Sequence, residues 1–234
     1  INLEGLRVIG DPNKFAKKYY TDGADELIFM DLVASLYNRN SLHDIIKNVS
    51  KDVFIPITVG GAIRSIDDAL KIFDSGADKI AINTAAVKYP NLINLLAKRF
   101  GSQAIVISIE AKKKINSWEV YIESGREQTN VSVQNWVKEA TDRGCGEILI
   151  TSIDQEGTGR GFDTELLTTV TKNTSVPVIA SGGFGDLKDV KAGFVDSKVD
   201  AIAVADAIHH NKISLRQIRK KALSLGLNVR EFNQ

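Results

Sequence analysis

Three carboxylates and two glycine-rich turns are the places where this sequence could do chemistry. Asp31, Glu110 and Glu156 each end or follow a short apolar run. A carboxylate at the end of a buried strand is a candidate general acid or base, and its bland role would be a salt bridge or a loop cap. Gly60-Gly61-Ala62 and Ser181-Gly182-Gly183 follow two other apolar runs, and Asn83-Thr84, Gly157-Thr158 and Ala205-Asp206 stand at comparable points. Glycine lets backbone N–H groups approach phosphate oxygens, and a following helix N-terminus adds its dipole, so both turns are candidate anion sites. Glycine also serves ordinary tight turns; two matched turns in a repeated chain favour the anion reading. A second charged set, Glu26, Lys79 and Glu147, stands at the opposite ends of strands. By position alone its expected role is ion pairing at a rim.

The elements that must hold these residues are short and regular. Apolar runs at 25–31, 54–59, 78–83, 104–110, 146–152, 176–181 and 200–205 are apolar throughout rather than alternating, as parallel strands buried on both faces are. Between them lie amphipathic stretches such as 66–75, where Ile66, Ala69, Leu70 and Phe73 are expected to form one apolar face. Strand and helix alternating in this way predict a parallel sheet with crossover helices.

The chain also repeats itself. KFAKKYYTDGADEL (14–27) matches NWVKEATDRGCGEI (135–148), and IPITVGGAIRS (55–65) matches VPVIASGGFGD (176–186). Both pairs share one offset, 135 − 14 = 121 and 176 − 55 = 121; after one inserted residue, 79–85 pairs with 201–207. Two similar halves, about 1–101 and 102–234, predict one α/β domain, a (β/α)8 barrel of the TIM type, whose active-site residues gather at the C-terminal strand ends. The partner of strand 104–110 would lie at 110 − 121 = −11, so the first barrel strand is expected outside this chain.

Composition narrows the function classes. Lys plus Arg number 30 and Asp plus Glu 29, a net charge of +1, which predicts neither a nucleic-acid nor an anionic membrane partner. The absence of a long apolar run or a basic leader predicts no membrane span, and the single cysteine, Cys145, fits a reducing cytoplasm. The histidines, His43, His209 and His210, lack metal-site spacing, so no metal is expected.

The blocks EGLRVIGDP, DELIFMDLVAS, TVGGAI, DKIAINTAAV, FGSQAIVISIEAK, GEILITSIDQEGTGRGFD, ASGGFG and GLNVR resemble the cyclase subunit of imidazole glycerol phosphate synthase, from about Ile1 to Arg230. The resemblance implies a lyase of histidine biosynthesis that needs no cofactor. Such a subunit takes ammonia from a partner glutaminase docked at the barrel bottom. With it, the enzyme converts phosphoribulosyl-formimino aminoimidazole carboxamide ribonucleotide, a bisphosphate, to imidazole glycerol phosphate and aminoimidazole carboxamide ribonucleotide. One phosphate would be held by Ala62, Asn83 and Thr84, the other by Gly157, Gly183, Ala205 and Asp206, with Gly61 and Gly182 completing the two turns. Glu26, Lys79 and Glu147 match residues that gate ammonia entry, and Asp78 matches a position at the glutaminase interface.

Several positions depart from the family's pattern. Glu110 stands where the family has its strand-five catalytic aspartate, and Glu156 where an aspartate follows strand six. Ala62 replaces a glycine and Asp206 a serine, and the strand-one aspartate and arginine are not in this chain. An added methylene moves a carboxylate by about 1 Å, a misplacement that can cost roughly 10²-fold in rate. Ionised Asp206 would repel a phosphate unless it points away or bonds neighbouring N–H groups. The primary reading is the cyclase, with Glu110 as acid or base and Asp31 and Glu156 shaping the same site. One rival is a paralogue delivering ammonia to another acceptor, as in amidino-sugar formation for surface polysaccharide. The other is an inert barrel that only docks the glutaminase.

Overall fold

The structure, a computed structural model, describes residues 10–31 and 42–230. Parts of two blocks that carry the resemblance, 4–9 and 32–35, lie outside the described residues. The chain begins with helix α1 (Pro12–Thr21) and strand β1 (Leu27–Met30), then α2 (Leu42–Val49), β2 (Ile57–Gly60), α3 (Ile66–Asp74) and β3 (Lys79–Ile82). After α4 (Thr84–Lys88) and α5 (Asn91–Phe100) come β4 (Ile105–Lys113) and two strands, β5 (Trp118–Ile122) and β6 (Glu127–Ser132). The rest alternates as α6 (Val133–Asp142), β7 (Glu147–Ser152), α7 (Thr164–Thr171), β8 (Val178–Ser181), α8 (Lys188–Lys191), β9 (Ala201–Ile202), α9 (Asp206–His209) and α10 (Leu215–Ser224).

Parallel pairing runs in the order β1-β2-β3-β4-β7-β8-β9, with β5 and β6 added antiparallel to the outer part of β4. This is the parallel, helix-covered sheet of a (β/α)8 barrel, with β1 and β9 at the two ends of the path among the described residues. The central strands β2, β3, β4, β7 and β8 are buried on both faces over most of their length, as their unbroken apolar sequences predict, whereas β1 and β9 at the ends of the path are only partly buried. On β4, Ile105, Ile107 and Ile109 pack outward with Ile93, Leu96, Trp136 and Val137 of the covering helices. Val106 points the other way and joins Ala81, Leu149 and Ile179 in the barrel interior. Hydroxyl and carboxylate caps start the helices: Ser65 accepts from Asp68 N at 3.1 Å, Ser132 from Asn135 N at 3.2 Å and Asp163 from Leu166 N at 3.0 Å, each worth about 1 kcal/mol.

The repeat reappears as matched contacts. Asp78 accepts from Ile57 N at 2.8 Å, and Asp200 accepts from Val178 N at 2.9 Å, so each half staples one strand start to the next. The last helix and the segment after it close back on the loop between α1 and β1. Arg219 donates to Gly23 O at 2.7 Å and to Asp25 at 2.8 Å, and Arg230 donates to Ala24 O at 3.1 Å.

Three expectations are corrected. The run at 200–205 is strand only over Ala201–Ile202; among the described residues β9 ends the path and pairs with β8 alone. On α3 the buried residues are Ala69 and Ile72, whereas Leu70 is exposed; at 3.6 residues per turn Ile72 and Leu70 lie on opposite sides of Ala69, and the Ile72 side faces inward. The hairpin of β5 and β6 lies outside the expected strands, because Glu119 interrupts β5 and β6 is polar and partly exposed.

Candidate active site

Inward-facing side chains form layers along the barrel. At the N-terminal end Lys79 bridges Glu26 at 2.9 Å and Glu147 at 2.6 Å, and Thr58 Oγ1 donates to the second oxygen of Glu26 at 2.5 Å. Burial opposes the charge on Lys79, but the hydrogen bonds it donates to Glu147 and Glu26 outweigh it and raise its pKa. The Glu147 Oε2 atom is buried with no hydrogen-bond partner among the described residues. Beside this ring, Asp78 spends its carboxylate on the Ile57 N–H. Above the ring lies the apolar layer of Ala81, Val106, Leu149 and Ile179.

Glu110 stands at the other end, on β4, and is 7% exposed. Alternation from Val106 through Ser108 puts it on the inner face. Its Oε2 accepts from the Asn83 amide at 2.8 Å and from Gly125 N at 2.8 Å. Burial pushes the Glu110 carboxyl up to about 7, against the lowering effect of those two donors. A carboxyl poised there can both take and give a proton near neutral pH.

The two glycine turns sit at this same C-terminal rim. Gly61, at φ 109°, packs so closely that a Cβ would lie 2.5 Å from the Asp31 carbonyl oxygen. Gly182, at φ 90°, meets the Ser152 carbonyl in the same way at 2.8 Å, and 31 + 121 = 152. The third positions differ. Ala62 holds φ 52°, a left-handed conformation unusual for a residue with a Cβ. Gly183, at φ 101°, has no room for a Cβ, which would overlap the Gly161 carbonyl. Gly161 N in turn donates to Gly183 O at 2.8 Å, so the 153–163 loop is laced onto the second turn. Gly157, at φ 71°, lies in that loop.

The carboxylates predicted around the turns go to different places. Asp31 stands beside the first turn through its backbone, its N–H donating to Gly60 O at 2.9 Å. Glu156 reaches the second turn, with Oε2 3.3 Å from where a Gly182 Cβ would be. Burial raises the Glu156 pKa, and the Asp206 charge adds to the rise. Asp206 opens α9 after Ala205 and turns to Lys212 at 2.5 Å and His210 at 3.5 Å, and the Lys212 bond lowers its pKa. Asn83 and Thr84 face the hairpin: the Asn83 amide also donates to Tyr121 O at 3.1 Å, and Glu123 N donates to Thr84 Oγ1 at 3.0 Å.

The hairpin tip is the part of the site that sequence reasoning missed. Glu123, Ser124 and Gly125 all hold positive φ, at 52°, 58° and 77°, and Lys88 pairs with Glu123 at 3.0 Å. Alternation in WEVYI (118–122) followed by a Ser-Gly turn was the available signal.

Fold and rim together define a (β/α)8-barrel protein with a buried carboxyl and two pseudo-symmetric glycine turns at one rim. The chain belongs to the histidine biosynthesis protein family, whose model matches residues 2–214. It is 58% identical over 190 residues to the imidazole glycerol phosphate synthase subunit HisF of Legionella pneumophila, covering 81% of this chain and 90% of that one. The subunit of the same name from Wolinella succinogenes is 43% identical over 232 residues, 98% of this chain and 91% of that one. A Prochlorococcus marinus subunit, also named HisF, is 43% identical over 235 residues, 99% and 92% of the two chains. Among the described residues no helix is long and apolar enough to cross a membrane.

Proposed function

We propose that this chain is the cyclase subunit of an imidazole glycerol phosphate synthase, a lyase of histidine biosynthesis that works with a separate glutaminase. The observation that carries the reading is Glu110, a buried carboxyl with a pKa near 7 at a barrel strand's C-terminal end, in a member of this family. Glu110 acts as the acid or base of ring closure, and Asp31 and Glu156 shape the same site. Gly61, Ala62, Asn83 and Thr84 face one substrate phosphate. Gly157, Gly182, Gly183, Ala205 and Asp206 face the other; Asp206 is compatible because its charge is spent on Lys212. Glu26, Lys79 and Glu147 gate ammonia from the glutaminase, which docks beside Asp78.

The test is turnover with ammonia and the bisphosphate substrate, read as imidazole glycerol phosphate formed. Glu110→Gln, which cannot exchange the proton, lowers kcat by about 10²-fold or more. Failure of the unaltered protein with both ammonia and a glutaminase partner would overturn the reading.

One observation favours a second reading. Glu156 puts a carboxylate at the second glycine turn, and the Asp206 charge is close enough to raise its pKa, which weakens that turn for a phosphate dianion. A paralogue delivering ammonia to an acceptor without that phosphate, such as an amidino-sugar precursor, would suit it. Inorganic phosphate binding separates the two: two saturable sites favour the bisphosphate cyclase, and one favours the paralogue.

A further inference from the structure

We infer that Asn83 and the β5–β6 hairpin tip are positioning elements that hold Oε2 of Glu110 and leave Oε1 as the reacting oxygen. This rests on Glu110 being the acid or base proposed above, and it gives Asn83 a task in addition to the phosphate contact proposed there.

The geometry is specific. Both donors to Glu110, Asn83 Nδ2 and Gly125 N, converge on Oε2 at 2.8 Å. Among the described residues no hydrogen bond to Oε1 is formed. The Asn83 amide nitrogen is also tied to Tyr121 O at 3.1 Å, so its orientation is set by two acceptors and its oxygen must point elsewhere. That oxygen is buried and has no partner among the described residues. A buried acceptor left unpaired is costly, and here it lies beside the buried Glu110 carboxyl, where a substrate N–H or O–H would satisfy it.

The hairpin contributes through its shape. Three successive left-handed residues, Glu123 to Gly125, fold the tip inward so that backbone N–H groups face the barrel rim, as in the anion-binding concavities formed by consecutive N–H groups. One N–H, of Gly125, meets Glu110, and another, of Glu123, meets Thr84 Oγ1. The Lys88–Glu123 pair anchors the tip to α4. A glutamate carries one more rotatable bond than an aspartate, and two fixed donors on a single oxygen remove that freedom.

The experiment follows the Glu110 carboxyl directly, by ¹³C NMR titration of the substrate-free full chain, alongside ammonia-dependent kinetics. Removing the amide with Asn83→Ala is expected to raise the Glu110 midpoint by about one pH unit. Asn83→Asp, nearly isosteric, is expected to raise it further through like charge and carries the test if the alanine variant does not fold. In both, kcat falls more than KM rises, and the rise of the pH–rate profile moves with the titration. An unchanged Glu110 midpoint in a folded variant, or a rise in KM for the phosphate-bearing substrate with kcat intact, would overturn the inference. A shifted midpoint in a protein without cyclase turnover would overturn only the proposed activity.

Discussion

Carboxylates occupy both ends of this barrel, and the two ends treat them in opposite ways. At the bottom, Glu26 and Glu147 share the ammonium of Lys79, and Thr58 supplies a further donor. At the top, Glu110 is buried more deeply, and its direct partners are an amide and a backbone N–H rather than a cation. Glu156 is likewise raised by burial, with Asp206 adding like charge. A cation beside a carboxylate keeps both groups charged, whereas desolvation without one brings the proton back toward neutral pH. One residue type thus builds an ion-paired ring and a rim of carboxyls raised by burial within a single sheet.

The largest test of that contrast is the pH dependence of stability. The Glu110 pKa is raised from 4.5 to about 7, so the folded state holds a proton that the unfolded chain has lost. Stability is therefore full below pH 4.5, falls as pH rises toward 7 and then levels off. The loss is on the order of 3 kcal/mol. Glu110→Gln is expected to abolish it: denaturant midpoints of the two proteins should agree near pH 4.5 and separate by pH 8, with the variant more stable. Equal midpoints at pH 8 would mean that the top carboxyl is as well compensated as those at the bottom.

A smaller effect is expected from the ring. Lys79→Met strips two half-buried carboxylates of their cation, and Glu147 Oε2 is already unpartnered. Removing one member of a buried ionic group costs about 3–5 kcal/mol; solvent access here reduces the expected loss to roughly 2 kcal/mol. Thermal unfolding at pH 8 measures it, and a second Glu147→Gln change should restore part. No recovery would show that the ring is packing rather than charge balance.

The smallest effect compares the two half-barrels directly. Asp78→Asn and Asp200→Asn each weaken one carboxylate bond to a strand N–H, worth about 1 kcal/mol. Near-equal losses in chemical denaturation fit the repeat. If Asp78 also meets the glutaminase, only Asp78→Asn weakens binding to that partner; equal binding by both variants would reduce Asp78 to its strand staple.

Much of the architecture was legible without coordinates. The seven parallel strands read as apolar runs because burial on both faces leaves no place for alternation. The ring residues were legible as a set because Glu26 and Glu147 share the repeat offset, and the structure adds that Lys79 lies between them. The hairpin was not legible by the same reasoning, since a search for buried parallel runs passes over a short antiparallel pair whose second strand is polar and partly exposed. Leu70 was misplaced because periodicity defines a stripe without saying which edge of it the neighbours cover.

What the sequence by itself determined is local and periodic: strand and helix order, the 121-residue repeat, the two glycine turns and the strand-end positions of the acids. These depend on residue size, polarity and spacing, which act along the chain. Only the tertiary structure decided which acid is desolvated and what touches it. Gly125 reaches Glu110 across 15 residues, Asn83 reaches it across 27, and Asp206 turns to Lys212 rather than the rim. Proton affinity is set by dielectric surroundings and by donors from other elements, and these exist only once distant segments have packed together.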